Sequence, residues 1–338
     1  MFTIAYWGQQ VMFKYFLIFT AALVSGAVLN YFLAVFCRKR GFLTLKGIPL
    51  TGGLGSGLAF IFSSVLSIFI LGLSFSKILP VIAAALLTLF FGVIDDIREL
   101  TVGQKFLAQS FCAALLIIFG IRTEIIYLGF WGNVLVSFFW IVGITNVFNL
   151  LDIMDGLAPG TVLIVSAAFL LVGSLIPDPS VLALSLVLCA ISSGFLLFNF
   201  PPARVYLGNS GSHFFGILIA SLALITHYAS EENFFALFSP VMILGFPIMD
   251  TVLLVIFRVI KKRPVFKKSR DHVALRIGAL GFSPRVTIAV MYILCFIFAV
   301  CGILLAVAGS IWSGFIVSAV FLFSIAIFIR LVKVENHG

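Results

Sequence analysis

Apolar runs of about 20 residues recur along the whole chain, separated by short polar stretches. Each run is long enough to cross a hydrocarbon core of ~30 Å as an α-helix. Taken in order they predict about eleven spans, centred near residues 12–36, 54–74, 78–95, 105–121, 132–149, 157–176, 181–198, 212–229, 236–260, 285–307 and 311–331. Backbone groups in lipid must bond within the protein, so the runs predict a helical bundle; a barrel would instead show short alternating segments. The first run lacks a cleavage-site pattern and carries Lys14 near its start, so a retained helix is expected there. No linker divides the chain. The expected class is an all-α polytopic membrane protein, a single domain over residues 1–338, with 261–284 as a basic loop within it.

Composition agrees: 62% of the 338 residues are hydrophobic and 10% charged, a balance outside the range of soluble domains. The charge distribution then sets an orientation. With the N-terminus outside, 18 of the 21 Lys and Arg fall on the inside, nine of them between Arg258 and Arg285, and only Lys14, Lys77 and Arg122 fall outside. That asymmetry predicts a cytoplasmic C-terminus and accounts for much of the net charge of +9 without nucleic acid as a partner. Four of the five cysteines, Cys112, Cys189, Cys295 and Cys301, lie in apolar spans without metal spacing, as packed thiols do. The outside loops are too short to build a site, so chemistry is expected on the cytoplasmic face.

The polar residues of that face are the informative ones. Asn146, Asn149, Asp152 and Asp155 recur every three residues at the end of an apolar run, just before Gly156. Spacing of three keeps neighbours close on a helix surface, and carboxylates at a helix C-terminus face the negative pole of its dipole unless a cation or polar ligand joins them. Asp95 and Asp96 end the third run, and paired carboxylates repel unless they share a proton, a cation or a base. Either they help hold Mg²⁺, which takes a few carboxylates with phosphates and waters, or they form a solvated helix end with Arg98. Lys105 at the start of the fourth run either reaches a phosphate or snorkels to the interface.

Between Pro201-Pro202 and the eighth run, the segment Tyr206-Leu-Gly208-Asn209-Ser210-Gly211-Ser212-His213 offers free backbone N–H groups at a helix start, an anion site or an ordinary cap. Tyr206 offers a face for a base. Pro49–Gly55 allows close backbone approach, to a ligand or to another helix. Asp250 lies inside the ninth run, as a functional acid or a buried hydrogen-bonding group. The basic loop, with Asp271, His272 and Arg276, suits a lipid surface.

In this order the segments resemble the polyprenyl-phosphate N-acetylhexosamine-1-phosphate transferases, also called glycosyl transferase family 4. The resemblance runs from Pro49 to Arg285. Its specific parts are Asp95-Asp96, Lys105 with Gln109, and Asn146, Asn149, Asp152, Asp155-Gly156. It implies that polyprenyl phosphate attacks the β-phosphorus of a UDP-N-acetyl amino sugar at the cytoplasmic face of the cell inner membrane, releasing UMP and starting a cell-envelope glycan.

By motif position, Asp95, Asp96 and Asp152 would be catalytic. Lys105, Asn146, Asn149, Asp155, Tyr206, Ser210, His272 and Arg276 would bind substrate. Mg²⁺, or Mn²⁺, would sit on Asp95, Asp96, Asp152 and Asn209. Three departures stand out. Asn209 replaces the family's Asp in its Gly-Asp-x-Gly-Ser loop, Ile153 replaces a Gly, and the late histidine box keeps only His272. A catalytically altered or inactive relative is therefore an alternative. A transporter is a more distant one, since its polar groups would sit at the bilayer midplane in repeats.

Overall fold

The computed structural model describes residues 2–228, 234–262 and 272–332. Every expected span is helical: α1 (Phe2–Arg40), α2 (Gly52–Leu71), α3 (Phe75–Ile97), α4 (Val102–Ile118), α5 (Gly129–Leu151), α6 (Leu157–Leu175), α7 (Pro179–Asn199), α8 (Gly208–Ile225), the pair α9 (Ser239–Ile243) and α10 (Gly245–Ile260), α12 (Pro284–Val307) and α13 (Ser310–Val332), with a short α11 (Val273–Ala279) before α12. Among the described residues nine helices are long and apolar enough to cross a membrane, and ten if the bent pair is one span. α4, of 17 residues, is the shorter eleventh.

The helix ends follow local chemistry. Thr101 and Gln104 form a reciprocal capping box on α4, each side chain accepting the other's backbone N–H, at 3.3 and 3.0 Å. Asp178 and Ser283 cap α7 and α12, each followed by proline at the first helical position. α7 stops at Asn199, with Phe200 as its cap and the two prolines directly after.

Two features depart from the sequence reading. The run 236–260, expected as one helix, bends by 71°. Pro247 has no N–H to give Ile243, and its ring crowds that carbonyl, so the helix restarts at Gly245. A small hairpin, β1 (Thr44–Leu45) with β2 (Ile48–Pro49), joins α1 to α2. Its turn is Lys46-Gly47, both at positive φ, the conformation tight hairpins require.

α8 is the axis of the bundle. Nearly all of its membrane window is buried, 89% against 11% for the peripheral α13, and it packs on α3, α5 and α2. Lipid lends no hydrophobic drive between helices, so close approach through small residues replaces it. A Cβ on Gly92 of α3 would lie 2.4 Å from Ser210 Cα, and one on Gly53 of α2 would lie 2.2 Å from the Gly211 nitrogen. The Pro49–Gly55 segment therefore serves helix packing. Gly52 and Gly53 donate backbone hydrogen bonds to Tyr206 and Leu207, and Tyr206 donates to Pro49.

Gly92→Val tests this packing. Overfilling costs about 1–3 kcal/mol, so the variant should melt well below wild type in detergent. Gly103→Ala, at a position with nothing within 4 Å, should leave the melting temperature nearly unchanged. Equal melting of the two variants would refute the close α3–α8 contact.

Candidate functional site

The polar ends of α3, α5 and α8 meet at one end of the bundle. Asp96, on the last turn of α3, points its carboxylate at the start of α8. Its Oδ1 accepts the Asn209 N–H at 2.7 Å and its Oδ2 the Ser210 N–H at 3.0 Å. The free N–H groups expected at this helix start are thus taken by a carboxylate of the protein itself. Gly208 makes the approach possible: it has φ +76°, and a Cβ there would fall 2.7 Å from Asp96 Oδ2.

Asp95 faces away from that contact and is buried, 4% exposed. Its Oδ1 accepts the Leu100 N–H at 2.7 Å, and its Oδ2 lies 2.7 Å from the Lys105 ammonium. Lys105 is thereby paired across the α3–α4 turn, with 23% of its side chain still exposed. The two adjacent carboxylates face different partners.

The α5 residues divide similarly. Asn146 donates from Nδ2 to Gln109 Oε1 at 2.7 Å and to the Val142 carbonyl at 2.9 Å. Asn149 donates to Asn209 Oδ1 at 3.2 Å and to Ser212 Oγ at 2.9 Å. Asp152 ends α5 and has no hydrogen-bond or ion-pair partner among the described residues. Asp155 accepts the Ala203 N–H at 2.9 Å, and Asn199 accepts the Gly156 N–H at 2.8 Å, so the α5–α6 and α7–α8 loops are tied together. Arg285 adds a bond from Nε to the Pro201 carbonyl at 3.2 Å, and Arg38 one to the Arg204 carbonyl at 3.2 Å.

Part of Asp152 reaches solvent, yet protein atoms crowd its carboxyl group. Burial, together with the charges of Asp96 and Asp155, pushes it from the ordinary 3.8 up to about 7. No lysine or arginine among the described residues pairs with any of these three acids.

The residues present suit a hard cation. Asp152 offers carboxylate oxygens with no other partner, within reach of the charges of Asp96 and Asp155, and the Asn209 amide oxygen is held on Asn149. Among the described residues no three His, Cys, Asp or Glu side chains converge as a closed metal cage. An ion here would draw its remaining ligands from substrate phosphates and water, as Mg²⁺ commonly does. Asp95, already engaged by Leu100 and Lys105, stands apart from this set.

Two further expected residues engage side chains of α10. Asp250 on α10 accepts the Val273 N–H at 2.8 Å and faces His272 Nδ1 at 3.2 Å. Buried Arg276 stacks on Phe257, 3.8 Å from the ring centroid. His272 and Arg276 thus form a second polar group on α10 and α11. Asp271 and most of the basic loop lie outside the described residues. Tyr206 is partly buried and anchored through its backbone. Sequence reasoning passed over Asn199 and gave His213, the end of the segment opening α8, no role of its own. Asn199 had a signal in its place two positions before the prolines that end α7.

A polar, acid-rich end on an all-helical, lipid-facing bundle defines a multi-pass membrane protein with a site at one surface. Residues 78–227 match the family described as Glycosyl transferase family 4. The probable undecaprenyl-phosphate N-acetylglucosaminyl 1-phosphate transferase of Bacillus subtilis is 32% identical over 265 residues, covering 76% of this chain and 72% of its own. A decaprenyl-phosphate N-acetylglucosaminephosphotransferase of Mycobacterium leprae is 28% identical, covering 81% and 79%. The phospho-N-acetylmuramoyl-pentapeptide-transferase of Staphylococcus epidermidis is 27% identical, covering 72% and 80%. The chain belongs to glycosyl transferase family 4.

The raised ionisation of Asp152 sets a sign. The folded state holds this proton more tightly than the unfolded chain, so stability is lost as pH rises from about 4 through about 7. Asp152→Asn removes that loss. In EDTA, the melting temperature of the variant relative to wild type should climb between about pH 5 and about pH 8. A difference independent of pH would contradict the crowded, unpaired carboxyl.

Proposed function

We propose that this chain transfers a phospho-N-acetyl amino sugar from a UDP-sugar to polyprenyl phosphate, undecaprenyl phosphate in a bacterial membrane, at the cytoplasmic face. The observation that carries the reading is the unpaired Asp152 at one end of the bundle, on which the charges of Asp96 and Asp155 act. Membership of the family and the names of its relatives support the same reading. In the transfer, an oxygen of the lipid phosphate bonds to the β-phosphorus of the donor. The bond from that phosphorus to the bridging oxygen breaks, and UMP leaves with that oxygen.

Phosphoryl transfer needs alignment and charge neutralisation more than covalent help. Mg²⁺, held by Asp152 and Asn209 with Asp96 beside them, would neutralise the donor diphosphate. The protein's own groups do the placing. Asp96 fixes the first turn of α8, and with it Asn209 and Ser212. Asn149 bridges those two residues and holds α5 to α8. Lys105 exchanges Asp95 for the lipid phosphate, bringing its charge to the acceptor. Asp155 and Asn199 hold the two loops that frame the nucleotide-sugar, with Tyr206 at their rim.

Asn209 favours one refinement. Its amide oxygen already accepts from Asn149, and an amide brings no charge to a cation, so metal affinity should be weaker than with a carboxylate there.

Two measurements test the reading. Purified protein with undecaprenyl phosphate, Mg²⁺ and UDP-N-acetylglucosamine should release UMP. Asp152→Asn should lower that rate about a hundredfold or more, in line with removal of a principal charge-stabilising group. UMP release by Asp152→Asn at the wild-type rate would remove the site assignment. Asn209→Asp should lower the Mg²⁺ concentration giving half-maximal rate; an unchanged or higher requirement would exclude Asn209 from the cation's surroundings.

A further inference from the structure

The segment between α5 and α6, Asp152 to Gly156, carries two acids of the site, and its far end is held by other elements. Gly156 stands at φ +80°, and a Cβ on it would lie 3.3 Å from Pro201 Cδ and 3.5 Å from the Tyr292 hydroxyl. The residue is thus wedged between the loop leading to α8 and the side of α12. Its N–H donates to Asn199, and its carbonyl accepts from the Tyr292 hydroxyl. The same carbonyl accepts the Gly160 N–H at 3.0 Å, which uses both of its lone pairs.

Tyr292 reaches this carbonyl because residue 160 is glycine. A Cβ there would overlap the phenol ring. Gly156 and Gly160, four positions apart, open one notch at the start of α6, and the ring fills it from α12. About two turns earlier on the same face of α12, Arg285 donates from Nε to the Pro201 carbonyl at 3.2 Å. One helix therefore holds both loops, the α5–α6 loop through Tyr292 and the α7–α8 loop through Arg285. The ties at Asp155 and Asn199 join those loops to each other; α12 is the third member.

We propose that Tyr292 is a positioning residue for the acids of the site: with Arg285 it braces α12 across both loops and fixes the Asp152–Gly156 segment. Asp152 has no hydrogen-bond or ion-pair partner among the described residues. Its place is therefore set by the backbone at its two ends, α5 on one side and Gly156 on the other. The proposal rests on the reading above, in which Asp152 acts at the donor diphosphate. Without the Tyr292 hydroxyl the Gly156 end loosens, and a displaced charge slows the chemical step more than it weakens donor binding.

The test compares two variants of the full-length protein in detergent. Tyr292→Phe removes the hydroxyl and keeps the ring for the notch. Tyr228→Phe is the matched control. Its buried hydroxyl also donates to a backbone carbonyl, that of Ala223 at 2.8 Å, at the opposite end of α8. That helix has 18 residues and is therefore about 27 Å long. Hydrogen–deuterium exchange of peptides covering residues 152–160 should be faster than wild type in Tyr292→Phe and unchanged in Tyr228→Phe. Unchanged exchange in Tyr292→Phe overturns the brace, whether or not the protein is a transferase. With undecaprenyl phosphate, Mg²⁺ and UDP-N-acetylglucosamine, Tyr292→Phe should lower kcat about tenfold with KM for the UDP-sugar within about twofold. Tyr228→Phe should stay within about twofold of wild type in both. Equal kcat losses in the two variants, or a loss confined to KM, overturn the positioning role. Absence of UMP from wild type refutes the proposed transfer, and the exchange rates then decide the brace by themselves.

Discussion

The contact between the Asp96 carboxylate and the first two N–H groups of α8 is the constraint on which the site depends. A helix start inside a membrane protein exposes donors that water cannot satisfy, and leaving them unpaired costs several kcal/mol. One carboxylate meets two of them with charge-assisted bonds, each stronger than a neutral one, and it faces the positive end of the helix dipole. The bonds also give α8 its axial position. Since α8 carries Asn209, Ser212 and His213, the placement of three polar side chains follows from one ion–helix contact. Gly92 and Gly208 are the steric conditions for it. Bulk at either would separate α3 from α8 before any ligand arrived.

From that contact follows the separate behaviour of the two adjacent acids. Asp95 and Asp96 are neighbours in sequence but not in environment. One is neutralised by Lys105 and the Leu100 N–H, the other by a helix terminus. Asp152 has no such partner, and the charges of Asp96 and Asp155 act on it. The protein thus has one carboxyl at which binding a cation relieves strain. Such a site takes up a metal–nucleotide complex more readily than a closed metal cage would, because phosphate oxygens complete the coordination.

Much of the fold was legible in the sequence because hydrophobic length is a direct signal in membranes. All eleven segments are helical, and the gathering of Asn149, Asp152 and Asn209 follows from polar residues having nowhere else to go at helix ends. What stayed hidden depends on tertiary partners. The bend at Leu244 needed Pro247 to be weighed against an otherwise continuous apolar run. The N–H groups at Asn209 and Ser210 read as free because nothing local reveals that Asp96, over a hundred positions away, would occupy them. Likewise Lys105 and Asp95 carry opposite charges across a short turn, yet each was read for a ligand before it was read for the other.

The same reasoning explains why His213 had no role of its own in the sequence reading. A single histidine in an apolar helix is usually a packed, satisfied side chain, and its sequence neighbours say nothing about its ring. Its significance comes from an orientation passed along by geometry, from a backbone carbonyl on α5 through two amides to an imidazole on α8. Each link removes one ambiguity that the residue types alone would leave, since amide ends and imidazole tautomers are interchangeable until a fixed acceptor breaks the symmetry. Buried polar networks of this kind have a large penalty for being half-formed. The positions of Gln109, Asn146 and His213 are therefore one coupled requirement of the contact between α4, α5 and α8.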